Sequence, residues 1–179
     1  APVMLVGIEN TQRRRDLTGA TAVATDKEIA PIVGGANAFR SFVEEELFPL
    51  VEQRYRVNKN RSIIGESLAG LFVVETLFLK PEMFDNYIAF DPSLWWNDHH
   101  LVKTAAEHLN KFPSSPKKFW FASSSAEDIF PHTKSISMLL SQNSPQNLSW
   151  NYSDEPKEEH QTIFRATKRK ALIWTLGTP

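Results

Sequence analysis

Short apolar runs alternate along this chain with longer segments in which apolar residues recur every three or four positions. Runs of this length without polar residues are typical of strands buried on both faces of a parallel sheet. The last run alternates apolar and polar residues, as a strand nearer the sheet edge does. The predicted strands are Val3–Ile8, Ser62–Ile64, Tyr87–Phe90, Lys118–Ala122 and Leu148–Tyr152.

The segments with three- and four-residue spacing predict helices between these strands. Pro49 lies inside the first helix and should kink or split it. Residues 10–35 show little periodicity, and we interpret them as a long surface loop. The predicted helices cover residues 37–55, 68–79, 98–111, 131–142 and 161–174.

Strands and helices in alternation predict an α/β fold, with a mainly parallel sheet and helices on both faces. There is no internal repeat and no linker-like stretch, so we predict a single domain over residues 1–179. In parallel sheets, ligands bind at the carboxyl ends of the strands. Asn10, Ser67, Asp91, Glu127 or Asp128, and His160 should all lie at that edge.

Composition narrows the function classes only a little. The formal net charge is -1, which gives no reason to expect a nucleic-acid partner or an anionic membrane. The chain contains no cysteine, so disulfides and thiolate metal sites are excluded. No apolar stretch reaches the roughly 20 residues that span a bilayer, so no membrane insertion is expected. Compartment and oligomeric state stay open.

The strand-like Ser62–Ile64 leads directly into Gly65-Glu66-Ser67-Leu68-Ala69-Gly70 and then a helix. A serine at a sharp strand-to-helix turn is the geometry of a nucleophile elbow, and small flanking residues avoid collisions at the corner. An ordinary β-α turn with the same small residues is the alternative. In the catalytic reading, the Leu68 amide at the helix start would be one oxyanion donor.

A serine nucleophile needs a base and usually an acid that orients it. The order serine, acid, histidine is met by Ser67, Glu127 and His160. We prefer Glu127 as the acid, while Asp128, or a Ser-His dyad without an acid, remains open. Asp91 precedes Pro92 and is interpreted as a turn residue.

Other candidate sites are weaker. His99 and His100 follow Asp98 without a third ligand at a suitable spacing, so we expect no metal, and we expect no cofactor. Trp95 and Trp96 could form the wall of an acyl or aryl pocket, or could be core contacts. The second oxyanion donor should come from a loop after an earlier strand, which we expect to precede residue 1.

Four stretches and their order resemble the putative-esterase (esterase D-like) family of α/β-hydrolases, including its IroE-like, siderophore-esterase branch. Later in the chain, the resemblance returns mainly at residues 158–161. Glu66 stands where the family commonly has histidine, and Ala69 where it commonly has glycine. The four stretches are Val6–Thr11 with Arg15–Thr18, Gly34–Phe39 with the following Glu-rich helix, Ile64–Phe72, and Asp91–Trp96.

The resemblance implies an α/β-hydrolase fold whose N-terminal strands are missing from this sequence. It implies Ser67 as nucleophile and His160 as base, with Asn10 and the pair Trp95 and Trp96 near a substrate cleft. We therefore expect a serine hydrolase that cleaves a small-molecule carboxylic ester through an acyl-enzyme. The alternatives are a hydrolase-fold protein that binds a ligand without turnover, and a thioesterase or acyltransferase that uses the same residues.

Overall fold

A four-stranded parallel sheet in the order β1-β2-β3-β4 is the centre of the fold. The structure is a computed structural model and describes residues 2–9 and 12–177. Each strand pairs with the next one along the chain, so all four carboxyl ends lie at one edge of the sheet. The strands are β1 (Ser62–Glu66), β2 (Asn86–Phe90), β3 (Lys117–Ser123) and β4 (Leu148–Asp154).

The helices that follow the strands agree with the predicted ones to within two residues at each end. The predicted α/β class with a parallel sheet is confirmed. The helices are α1 (Arg13–Asp16), α2 (Ala24–Ile29), α3 (Ala36–Phe42), α4 (Phe48–Arg54), α5 (Leu68–Leu79), α6 (Trp96–Asn110), α7 (Phe130–Asn143) and α8 (Ile163–Leu176).

Two separate hydrophobic cores lie on the two faces of the sheet. Because side chains alternate along a strand, Tyr87 and Ala89 of β2 face one core while Ile88 and Phe90 face the other. The larger core is closed by α5, α6 and α7, and the smaller one by α8. Helices on both faces explain why β2 and most of β3 read as continuous apolar runs.

The predicted kink near Pro49 takes the form of a π-helical segment, Val43–Leu47, that joins α3 to α4. The Phe48 amide donates to the Val43 carbonyl, five residues back. A proline ring collides with the carbonyl four residues before it, and the wider π turn relieves that collision. The helical path therefore continues through Pro49 without a break.

The prediction of a buried strand at Val3–Ile8 is wrong for this structure. Residues 2–9 have no regular secondary structure and are exposed throughout. Among the described residues, β1 pairs only with β2, so this apolar run has no strand partner. The loop expected over residues 10–35 contains the short helices α1 and α2 in its described part.

None of the helices in residues 2–9 and 12–177 combines the length and apolar character needed to cross a membrane. The carboxyl edge of the sheet carries the residues described next.

Candidate active site

Ser67 occupies the sharp turn between β1 and α5. Its backbone has φ 61° and ψ -122°, a left-handed conformation that a residue with a side chain adopts only under strain. The Ser67 amide donates to the Phe90 carbonyl at 3.0 Å, and its carbonyl accepts from Ser93 N at 3.1 Å. The end of β2 and the loop after it therefore hold the elbow in place.

The glycines of the motif are required by contact distances. A Cβ at Gly65 would lie 2.4 Å from the Ala69 carbonyl oxygen, and one at Gly70 would lie 3.0 Å from that of Phe90. Larger residues would push the corner apart. The Gly-x-Ser-x-x-Gly spacing thus reflects the close approach of α5 to β1 and β2.

The Ser67 hydroxyl is half-buried and lies 3.4 Å from the hydroxyl of Ser93. Ser93 is 1% exposed, so this neighbour is fixed by the surrounding core. In this arrangement the nucleophile candidate rests against a second hydroxyl at the end of β2.

The imidazole of His160 is bound by the carboxylate of Asp91. His160 Nδ1 lies 3.0 Å from Asp91 Oδ2. Asp91 is completely buried and also accepts hydrogen bonds from the Ser124 amide at 2.6 Å and the Ser124 hydroxyl at 2.5 Å. Three hydrogen bonds satisfy a carboxylate that would otherwise be costly to bury.

This pair fixes the tautomer of His160. An ionised carboxylate only accepts hydrogen bonds, so Nδ1 carries the proton and Nε2 is the free acceptor. The hydrogen bond that His160 Nδ1 donates to Asp91 raises the pKa of His160 above its ordinary value, and partial burial opposes the rise. Glu66 and Asp128 add smaller effects that raise the same pKa.

Loop-to-loop hydrogen bonds position His160 between β4 and α8. The amide and hydroxyl of Ser125 donate to the Glu158 carbonyl at 3.0 and 2.9 Å. The Glu155 amide donates to Ser123 O at 2.9 Å. The loop after β3 therefore supports the histidine loop through its backbone and serines.

The structure places Asp91, rather than Glu127, against His160. Glu127 and Asp128 are both exposed in the loop before α7. Sequence reasoning assigned Asp91 to a turn because Pro92 follows it, and Asp91 does have a left-handed φ of 41°. No local signal in the sequence identifies this position, which follows from the strand register: Phe90 pairs with Glu66, so Asp91 stands level with Ser67.

The remaining predicted residues divide into three groups. Leu68 begins α5, where the first amides have no partner within the helix and the helix dipole is positive. Trp95 is half-buried at a cleft, whereas Trp96 is buried and donates from Nε1 to the Gly19 carbonyl at 3.1 Å. Asn10 lies outside the described residues.

A cleft of about 590 Å³ opens beside Trp95. Its apolar walls are Trp95, Ile29 of α2, and Val23, the residue before α2. Its polar lining comes largely from α2, the start of α6 and the loop before α7. In the part of the chain that the structure describes, no three His, Asp or Glu side chains are grouped closely enough to hold a metal ion.

Three comparisons with known proteins bear on this geometry. The family model described as Putative esterase matches residues 1–173. Ferri-bacillibactin esterase BesA of Bacillus subtilis is 39% identical over 115 residues, which is 57% of this chain and 40% of BesA. The siderophore triacetylfusarinine C esterase of Aspergillus fumigatus is 42% identical over 98 residues, which is 52% of this chain and 32% of that protein.

Solved structures show the same fold. The BES protein from Bacillus cereus superposes with a TM-score of 0.80 at 25% identity, covering 94% of this chain and 67% of that one. An IroE-like serine hydrolase from Shewanella oneidensis gives a TM-score of 0.83 at 24% identity, over 93% of this chain and 57% of that one.

The chain spans 40% or less of the length of the curated relatives quoted above. The family model nevertheless covers nearly all of the sequence, including the elbow, Asp91 and His160. This chain therefore belongs to the Putative esterase family of α/β-hydrolases.

Proposed function

We propose that this protein hydrolyses carboxylic esters through an acyl-enzyme on Ser67, with His160 as general base and Asp91 as the group that orients it. The single observation that carries the proposal is the buried Asp91 bound to His160 Nδ1 at the sheet edge that also presents Ser67. The Asp91 carboxylate, the His160 tautomer with a free Nε2, and the strained backbone of Ser67 are all expected of a catalytic triad.

The reaction has two steps, acylation and deacylation of Ser67, and His160 accepts and returns one proton in each. Ser67 Oγ attacks the ester carbonyl carbon as its proton passes to His160 Nε2, and the resulting oxyanion is stabilised by the Leu68 amide. The C–O bond then breaks, and the alcohol leaves with the proton from Nε2. Water attacks the acyl-enzyme in the same way and releases the acid and free Ser67.

The Ser67 hydroxyl has to turn from Ser93 toward His160 for the first step. Catalytic hydrogen bonds are often long or absent before substrate binds, so the contact with Ser93 at 3.4 Å is compatible with this mechanism. Buried Asp91 stabilises the imidazolium that forms at each step.

For the substrate we propose an ester of the siderophore class. The support is the activity for which the relatives are named: they include the ferri-bacillibactin and triacetylfusarinine C esterases and an apo-salmochelin esterase of Escherichia coli, 27% identical over 150 residues. The cleft of about 590 Å³ beside Trp95 is in the size range of small-molecule sites.

Replacement of the catalytic groups tests the reaction. Ser67→Ala and His160→Ala should each lower kcat/KM on p-nitrophenyl esters by at least about a thousandfold, and the double variant should lose little more, because the residues act as a unit. Glu107→Gln, on the exposed side of α6, is the matched control. Full activity of Ser67→Ala would overturn the proposal.

A second function is ligand binding without turnover, favoured by the contact of Ser67 Oγ with Ser93 instead of His160. Labelling with a fluorophosphonate probe separates the two functions. An ester hydrolase with an activated Ser67 is labelled at that residue, whereas a folded protein that stays unlabelled is a binding protein.

A panel of substrates that includes thioesters and alternative acyl acceptors distinguishes an ester hydrolase from a thioesterase or acyltransferase.

A further inference from the structure

Two residues that line the cleft, Trp95 and Asp128, connect it to the proposed catalytic groups. Trp95 lies two residues after Ser93, which contacts both the backbone and the hydroxyl of Ser67. Asp128, which also lines the cleft, is one of the carboxylates that raise the pKa of His160. The lining of the cleft is thus linked to Ser67 through the loop after β2 and to His160 through the charge of Asp128.

Three carboxylates line this cleft, and one of them is almost completely buried. Asp26 is 3% exposed, and its Oδ2 accepts from Thr21 Oγ1 at 2.6 Å and from the Asn97 amide at 2.8 Å. Its other oxygen, Oδ1, has no hydrogen bond among the described residues. Asp98 and Asp128 complete the acidic lining.

Positive charge compensates only part of this lining. Lys103 Nζ lies 2.5 Å from Asp98 Oδ2, and His99 Nε2 lies 3.7 Å from Asp98 Oδ1. His99 lines the cleft and stacks on His132 with ring centroids 4.0 Å apart. Burial and His99 lower the pKa of His132 below its ordinary value. The cleft is therefore negative overall.

The residues at the start of α6, two of which line the cleft, have an unfavourable backbone conformation. Asn97, Asp98 and His99 all have positive φ, at 51°, 52° and 55°. His99 Nδ1 is buried and has no hydrogen-bond partner among the described residues. Left-handed backbone at three successive non-glycine residues is rare.

We propose that the cleft is a binding subsite for an uncharged or cationic arm of the ester, one that packs on Trp95 and donates hydrogen bonds to Asp26 and its acidic neighbours. The hydrogen-bond donor is a hydroxyl or an ammonium group. An arm that carries a carboxylate is rejected by like charge. The assignment of this arm to a substrate rests on the ester hydrolysis proposed above.

Three ligands of matched size test the subsite in the full chain carrying Ser67→Ala, so that turnover is not needed. Isothermal titration at pH 7.5 compares 4-methylbenzylamine, 4-methylbenzyl alcohol and 4-methylbenzoate. The amine or the alcohol should bind at least roughly tenfold more tightly than the benzoate, and the tighter of the two identifies the donor. Benzoate binding as tight as the others, or no binding by any of the three, overturns the proposal.

Variants of the lining locate the binding. Asp98→Asn and the exposed Asp128→Asn should each weaken amine binding several-fold and reduce the discrimination against benzoate. Glu107→Gln on the outer face of α6 should change neither. Unchanged discrimination in Asp128→Asn and Asp98→Asn contradicts the subsite. Fluorophosphonate labelling of the unmodified Ser67 reports separately on ester hydrolysis, so failure of one proposal does not hide failure of the other.

Discussion

At the scale of single residues, the proposed role of His160 as general base predicts how activity depends on pH. The base must be neutral, and its pKa lies above the ordinary 6.5 because of Asp91. We expect kcat/KM to be constant at alkaline pH and to fall as the pH drops through this raised pKa. A pH–rate profile on a p-nitrophenyl ester measures the midpoint directly.

Glu66 provides a variant that shifts this midpoint. Its carboxylate raises the pKa of His160, so Glu66→Gln should move the acid limb to lower pH, while Glu107→Gln should leave it in place. A midpoint that moves upward in Glu66→Gln would contradict the electrostatic account.

Asp91→Asn should instead lower activity at every pH by about a thousandfold or more, because it removes the carboxylate that controls the tautomer of His160.

The expectations for Ser67 and His160 rest on local signals in the sequence, whereas the contact between Asp91 and His160 is tertiary. Ser67 stands in a motif whose geometry is written in neighbouring residues, and His160 follows the last strand in a polar loop. Asp91 is 69 positions from its partner in the chain, and only the parallel register of β1 and β2 brings it level with Ser67. A single sequence does not reveal that register.

At the scale of secondary-structure elements, the corner between β1 and α5 depends on a contact without room for a methyl group. Gly65→Ala would place a Cβ 2.4 Å from the Ala69 carbonyl oxygen. We expect it to destabilise the protein by about 1–3 kcal/mol and to displace Ser67, with a matching loss of activity. Denaturant unfolding monitored by tryptophan fluorescence measures the free energy.

Gly7→Ala is the control for this variant, since a Cβ at Gly7 would meet nothing within 4 Å. Its free energy of unfolding should stay within about 0.5 kcal/mol of the unmodified protein. Equal destabilisation by both substitutions would show that contact at the corner is not the cause.

Helix and strand positions followed well from periodicity because each element buries a continuous face. The exceptions have local causes that periodicity does not contain. Pro49 produced a π segment instead of a break, and α6 begins with three left-handed residues, Asn97 to His99, whose conformation depends on the Asp26 carboxylate that binds the Asn97 amide.

At the scale of the whole molecule, the alternation of strands and helices was sufficient to predict the α/β class and the edge of the sheet at which Ser67, Asp91 and His160 lie. The division of the apolar residues into two cores follows from the period of two along β2 and β3. The position of Val3–Ile8 did not follow, because an apolar run specifies a tendency to pair and not the strand with which it pairs.

The unpaired side of β1 has a consequence for residues 1–179 when they are studied by themselves. Within residues 2–9 and 12–177, β1 pairs on one side only, Ile64 is 38% exposed, and Val3–Ile8 is an exposed apolar segment. An open strand edge and an exposed apolar segment can each pair with a strand of another molecule.

We therefore expect self-association that depends on concentration, measured by sedimentation velocity. Ile64→Lys should reduce it, and the control Leu79→Lys, which replaces an exposed leucine at the end of α5, should not. Equal effects of the two lysines would point to general hydrophobicity, and an unchanged monomer at high concentration would rule out edge pairing.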